Sequence, residues 1–227
     1  MKAIFLDGLL NFIFPPKCIF CNQIMDAGAE LNICGECGKK ITFLGDSFIS
    51  ATGESSPEGC DAAVSVCHYS GIVKHSLVKY KFHNKPGYYR TFGRLMAKYI
   101  FKVTNSTKFD MIISVPLHRE RELKRGYNQA RLIAKAVAGL TGISECSKLL
   151  VRIRNTDAQS LLDRKSRLVN VQAAFRVTNT EAVKGKSILL IDDILTTGTT
   201  VNECGRILKE AGAKTVIAAV IATGKHG

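Results

Sequence analysis

The chain has 227 residues, of which 46% are hydrophobic and 22% charged, enough for one medium domain and a small appendage. That balance excludes a disordered chain, and with no apolar run of the ~18–20 residues a membrane span needs, the protein is expected not to be transmembrane. The net charge of +13 is uneven: residues 1–60 carry four Lys/Arg against seven Asp/Glu, a net of −3, so residues 61–227 hold +16. An excess of that sign favours anionic ligands such as phosphates, pyrophosphate or nucleic acid, although a solvated basic face would give the same total.

Residues 1–16 form an apolar arm interrupted by Asp7 and closed by Pro15-Pro16. It has a single Lys before the apolar stretch and no small-residue cleavage site, so it does not read as a secretory signal. Two readings stand: an amphipathic helix packing Ile4, Phe5, Leu9, Phe12 and Ile13 on the body, or a surface that docks on a membrane or partner. Without an export signal the chain is expected in the cytoplasm, where thiols stay reduced.

Residues 17–44 hold Cys18-x-x-Cys21 and Cys34-x-x-Cys37. Each pair can wrap a tight turn and aim two thiolates at one ion, and four thiolates match the closed tetrahedral site of structural zinc. The segment has too few large apolar groups to order itself, and structural zinc contributes about 10–16 kcal/mol in small finger peptides. The competing reading is a redox dithiol, which needs only one such pair. Residues 45–60, rich in Gly and Ser, read as a linker ending at Cys60.

Residues 61–227 alternate strand and helix. Ala62–Cys67, Met111–Val115, Leu149–Ile153, Ile188–Ile191 and Thr215–Ala222 are predicted strands, some apolar throughout as in strands buried on both faces. Helical stripes run through Phe92, Leu95, Met96, Tyr99 and Ile100, through Ala130, Ile133, Ala134, Val137 and Leu140, and through Val201, Cys204, Ile207, Leu208 and Ala211. Asn128 is a candidate cap for the second stripe, which should stop near Gly139 and Gly142, and Gly212 suits the end of the third. The alternation predicts an α/β domain with a mostly parallel, Rossmann-like sheet and helices on both faces.

The most specific signal begins where Ile188–Ile191 ends. Asp192 and Asp193 stand at the carboxyl end of the strand, where open α/β sheets bind ligands. Thr196, Thr197, Gly198, Thr199 and Thr200 then lead into a helix, whose N-terminal amides and Thr hydroxyls make a phosphate cradle, with Gly198 allowing close approach. Two carboxylates can accept hydrogen bonds from vicinal ribose hydroxyls, so the pair of features fits a ribose 5-phosphate. An ordinary strand-to-helix turn would not need both acids and four threonines. Two basic stretches accompany it: Pro116–Lys135, with Arg119, Arg121, Lys124 and Arg125, and Lys148–Asn170, with Arg152, Arg154, Arg164, Lys165 and Arg167.

The Asp192–Thr200 segment resembles the 5-phosphoribosyl-1-diphosphate (PRPP) loop of type I phosphoribosyltransferases. Over nearly the whole chain the sequence resembles the ComF family, which joins a zinc knuckle to such a domain. The matching residues are FPPKC ending at Cys18 with the two Cys pairs, Lys81-Phe82, SVPLH ending at His118, KRGYNQ ending at Gln129, RNTDAQ starting at Arg154, RLVN starting at Arg167, Ala174-Phe175 and the acidic loop. The resemblance implies pyrophosphate contacts at Val115, Pro116, Leu117, His118 and Arg119, and a mobile hood in the second basic stretch. It further implies catalytic roles for Asp192 and Asp193, Mg²⁺ accompanying PRPP, and displacement of pyrophosphate if the protein is an enzyme. A part in DNA uptake is implied as well, with single-stranded DNA and competence-machinery proteins as partners. The family commonly carries a second cysteine cluster before the large domain; here only Cys60 remains from it.

Overall fold

The fold is that of a computed structural model, which describes residues 15–44, 48–50, 59–103, 108–154 and 174–224. The apolar arm before Pro15 and most of the 45–60 linker lie outside the described residues, as do Asn155, Thr156, Gln159, Arg164, Lys165 and Arg167 of the second basic stretch.

Four strands run parallel: β2 (Ala62–His68), β3 (Met111–Ser114), β6 (Ser187–Leu195) and β7 (Thr215–Thr223). With β1 (Phe48–Ser50) antiparallel on the β2 edge, the sheet order is β1-β2-β7-β6-β3. The two central strands, β6 and β7, are apolar and buried through most of their length, as strands covered on both faces must be.

One face is covered by α2 (Gly71–Phe82), α3 (Tyr89–Val103) and α5 (Gln129–Thr141), whose Leu77, Tyr80, Phe92, Met96 and Ile133 pack on Val64, Ile112, Leu189, Ile191 and Ile217. The other is covered by α7 (Thr199–Glu210), whose Val201, Cys204 and Leu208 meet Ile113, Ile188, Leu190 and Val216. Neighbouring residues of β6 thus face opposite helix layers, at about 1.5–3 kcal/mol for each large side chain buried. Asn128 caps α5, its Oδ1 accepting from Arg131 N at 3.2 Å, and Gly142 ends it with φ 75°. Gly139 lies within the helix rather than stopping it.

Three sequence expectations change. Leu149–Ile153 does not join the large sheet: β4 (Leu150–Arg152) pairs antiparallel with β5 (Phe175–Val177) as a separate two-stranded sheet. Ile153 is 47% exposed and Arg152 is only half-buried, so this run is unsuited to a doubly covered sheet. The strand expected at Ile188–Ile191 does not stop at Ile191, because β6 keeps pairing with β7 as far as Leu195, carrying both acids on the strand. Helix α2 has no counterpart among the predicted elements, its Val73, Leu77 and Tyr80 being diluted by His and Lys.

The chain around Gly59 and Cys60 crosses α7 in close contact. A Cβ on Gly59 would lie 1.9 Å from the Asn202 carbonyl oxygen, and one on Gly205 would lie 2.5 Å from that of Gly59. Glycine on both sides is what lets these backbones touch. In the knuckle, which includes α1 (Gly35–Lys39), Ile19 and Ile41 are buried in the core under α2 and α3, and the Arg94 guanidinium donates to the Glu30 carbonyl. Short helices α4 (Arg119–Arg125) and α6 (Thr180–Val183) and two 3-10 turns (Pro86–Tyr88 and Ser147–Leu149) complete the elements of the described residues, among which no helix is long and apolar enough to cross a membrane.

Candidate functional site

The carboxyl ends of β3 and β6 open into a cavity of about 470 Å³, closed on the sides by the end of α2, the start of α5 and the start of α7. Asp192 and Asp193 both line it. Successive strand residues point to opposite faces, so Asp193 turns toward the α2 layer and Asp192 toward the α7 layer. Asp193 is buried and its Oδ1 sits 2.8 Å from Lys81 Nζ. Asp192 Oδ1 accepts from the Asp193 backbone N–H at 2.8 Å. Burial, and then the neighbouring Asp193 charge, push the Asp192 carboxyl above the usual carboxylate range, with Lys81 pulling the other way.

All of Thr196, Thr197, Gly198, Thr199 and Thr200 line the same cavity. Gly198 takes the left-handed conformation, φ 84°, at the position that starts α7. A side chain there would be strained, and the turn aims the helix N-terminus into the cavity. The Thr197 and Thr199 hydroxyls lie 2.9 Å apart and hold the loop in shape. The strand side is pinned by Thr223, whose hydroxyl donates to the Leu195 carbonyl at 3.0 Å.

From the expected pyrophosphate segment, Val115, Pro116 and Leu117 line the cavity. The Val115 N–H donates to Ile191 O at 2.8 Å and its carbonyl accepts from Asn128 Nδ2 at 3.1 Å, tying this turn to β6 and α5. His118 and Arg119 are not in the cavity wall. His118 caps α4 instead, its Nδ1 accepting from Glu120 N at 3.4 Å, and Arg119 is exposed. The helix that starts there brings Arg121 and Arg125, one turn apart, to the cavity.

Arg152 reaches it from β4, its guanidinium 5.4 Å from the Phe175 ring centre. Burial lowers the pKa of Arg125 and of Arg152, and Arg121 depresses both further. Three guanidiniums thus line the cavity, a lining that suits an anionic ligand. Lys81, Arg121, Arg125 and Arg152 are cationic wall residues that no local pattern singles out. All four lie in stretches marked as basic or matched to a family, but only the fold selects them from their charged neighbours.

The four knuckle thiols lie within 4.8 Å of one another. Cys21 and Cys34 sulfurs are 3.6 Å apart, against the about 3.8 Å between thiolates on tetrahedral zinc. Desolvation raises the Cys18 thiol, but the backbone N–H groups of Cys21, Cys34 and Phe20 outweigh it and bring the value down to about 7. Burial and the neighbouring thiols push Cys37 up to about 12. Donors aimed at sulfur and thiols forced together in one small volume fit a structural zinc. Cys60 is no part of this group: it is buried against α7, its Sγ 3.8 Å from Val201 O, and burial pushes it up to about 12.

The phosphoribosyl transferase domain family matches residues 81–227, and the double zinc ribbon domain family matches residues 9–69. Competence protein F of Haemophilus influenzae is 28% identical, over 92% of this chain and 96% of its own length. DNA utilization protein YhgH of Salmonella typhi is 32% identical, over 82% of this chain and 82% of its own. Among solved structures, a glutamine PRPP amidotransferase from B. subtilis, complexed with ADP and GMP, is similar over 63% of this chain and 30% of that one, at 18% identity and a TM-score of 0.43. A parallel-sheet domain matched over residues 81–227, a cluster of four cysteines before it and relatives aligned over most of the chain lead to one assignment: the protein belongs to the competence protein F family, with a phosphoribosyl transferase domain behind a zinc ribbon region.

Proposed function

We propose that the cavity binds a ribose 5-phosphate unit, with PRPP as the full ligand and pyrophosphate as the group released if the protein turns over. The observation that carries this reading is the succession Asp192-Asp193 and Thr196–Thr200 around one cavity, ending on the N-terminus of α7. The α7 terminus and the Thr hydroxyls take the 5-phosphate. Asp192 and Asp193 accept from the ribose hydroxyls and favour positive charge developing on the sugar. Lys81 keeps Asp193 oriented until substrate arrives. The turn Val115–Leu117 and the guanidiniums of Arg121, Arg125 and Arg152 receive the pyrophosphate, with His118 serving only to start α4. Mg²⁺ accompanying PRPP would neutralise leaving-group charge, and the two carboxylates are oxygen ligands of the kind it prefers.

Isothermal titration of the zinc-loaded protein with PRPP and Mg²⁺ tests the reading. Saturable binding is expected, and its loss in the Asp192→Asn/Asp193→Asn double variant. Absence of binding by the wild-type protein, or undiminished binding by the variant, would show that the loop has another use.

The relatives' names, competence protein F and DNA utilization protein, support a second reading in which the chain assists DNA uptake, and the +16 charge of residues 61–227 favours a polyanion. Strand binding that falls steeply with salt supports it, and no binding of a single-stranded oligonucleotide at low salt removes it.

A further inference from the structure

Helix α2 meets the cysteine knuckle at one end and the cavity at the other. At its start, Ile72 packs against the cluster of Cys18, Cys34 and Cys37, with Phe20, Met25 and Ile33. At its finish, Lys81 and Phe82 line the cavity, and Lys81 Nζ sits 2.8 Å from Asp193 Oδ1. From Ile72 to Lys81 the helix advances about 14 Å.

The two ends are held differently. At the cavity end, the Tyr80 hydroxyl donates to the Gln129 carbonyl at 2.9 Å, and the Tyr127 hydroxyl donates to the Tyr80 carbonyl, so the last turn is bonded to the start of α5. That turn also carries Lys79 and Lys81, which suit the negative end of a helix. At the knuckle end, Ser70 stands at the cap position but makes no side-chain cap hydrogen bond, and the first turn has no acid. A helix of 12 residues is marginal by itself. Its first turn therefore depends on packing, with Ile72 on the cysteines and Val73 in the core.

We propose that α2 couples the two sites: an occupied knuckle tightens the cavity on ribose 5-phosphate, through Ile72 at one end and Lys81 at the other. The inference rests on the ribose 5-phosphate reading and assigns the regulation of that site. Four thiols within 4.8 Å of one another stay gathered as thiolates only around a cation. When the ion is lost the knuckle spreads, Ile72 loses its support and α2 frays from its first turn. The helix that remains is shorter and seated less firmly, so Lys81 orders Asp193 less well. Such coupling is reciprocal, and ligand in the cavity strengthens zinc retention by the same factor.

Two measurements on the full chain read that factor from opposite sides. One is calorimetry with ribose 5-phosphate on chain loaded with zinc and on chain stripped of it under reductant. The other is competition for zinc with a chromophoric chelator, with and without ribose 5-phosphate. The loaded wild-type chain is expected to bind ribose 5-phosphate about 10-fold more tightly than the stripped chain, and the ligand to strengthen zinc retention to the same extent. Ile72→Ala keeps all four cysteines and should bring both factors close to one, whereas Ile72→Leu should preserve them. If the stripped chain unfolds outright, the chelator competition decides, because linkage through global unfolding would survive in Ile72→Ala. Equal affinity in loaded and stripped chains, or a factor that survives in Ile72→Ala, overturns the coupling and leaves the ribose-phosphate site standing. If ribose 5-phosphate does not bind the loaded wild-type chain, the reading beneath is overturned and the coupling falls with it.

Discussion

Lys81, one residue from the end of α2, reaches the carboxyl end of β6 and holds Asp193 at 2.8 Å, with the two side chains only 24% and 6% exposed. The pair joins the helix layer to the acidic end of the strand and offsets part of the charge that two adjacent carboxylates bring into the cavity. Lys81→Met removes that offset and leaves the charges of two adjacent acids uncompensated. The variant should be less stable by about 2 kcal/mol near neutral pH, with the deficit shrinking as acidification protonates Asp192. Thermal melts across a pH series check this; a deficit independent of pH would mean that Lys81 contributes by packing alone.

Asp192 presents the converse case. Burial and Asp193 raise its pKa, so its proton is held more tightly in the folded state than in the unfolded chain. For such a group, stability is full below the unfolded value, falls as pH rises from about 4 toward neutrality, and then levels off. Asp192→Asn should abolish that decline and make the protein more stable than wild type at neutral pH, by about 1 kcal/mol, while weakening ribose 5-phosphate binding. Paired melting and calorimetry are the check. Lower stability together with lower affinity would mark Asp192 as a structural residue.

The acidic loop was legible because its parts are consecutive: a buried strand, two acids and a Thr/Gly turn can be read within a few residues. Lys81 stands in a family match, but its role was not legible, because its partner Asp193 lies far along the chain. The same limit explains His118 and Arg119. The family resemblance implies pyrophosphate contacts there, but α4 starts at Arg119, and it is Arg121 and Arg125 that line the cavity. The Leu149–Ile153 strand was recognised as a strand but not as part of a separate hairpin, because its pairing partner Phe175–Val177 has no strong signal of its own.

The knuckle predicts a zinc stoichiometry. Among the described residues one group of cysteines can hold a metal, and Cys60 is packed against α7 away from it. Metal analysis should find one zinc per chain, unchanged in Cys60→Ala and lost in Cys18→Ser. Removing the metal should free thiols to react and loosen Ile19 and Ile41 from the core, which tyrosine emission can follow because the chain has no Trp. A second zinc that disappears in Cys60→Ala would overturn this account.

Gly205 and Gly139 form a matched pair for a final prediction, since both lie inside helices and differ in what surrounds them. Gly139 is exposed, and a Cβ there meets nothing within 4 Å, so Gly139→Ala should stabilise α5 by about 0.5–1 kcal/mol through helix propensity. A Cβ on Gly205 would stand 2.4 Å from Cys60 Sγ and 2.5 Å from Gly59 O, and backbone cannot retreat as a flexible side chain can. Gly205→Ala should therefore destabilise by about 1–3 kcal/mol despite the same gain in propensity. Because α7 begins at Thr199, displacing the helix also displaces the Thr loop. The variant should then bind ribose 5-phosphate more weakly even at temperatures where it remains folded, and titration below its melting transition reads that loss directly. Full affinity in a destabilised Gly205→Ala would show that the loop is held by β6 and Thr223, not by the seating of α7 against Gly59.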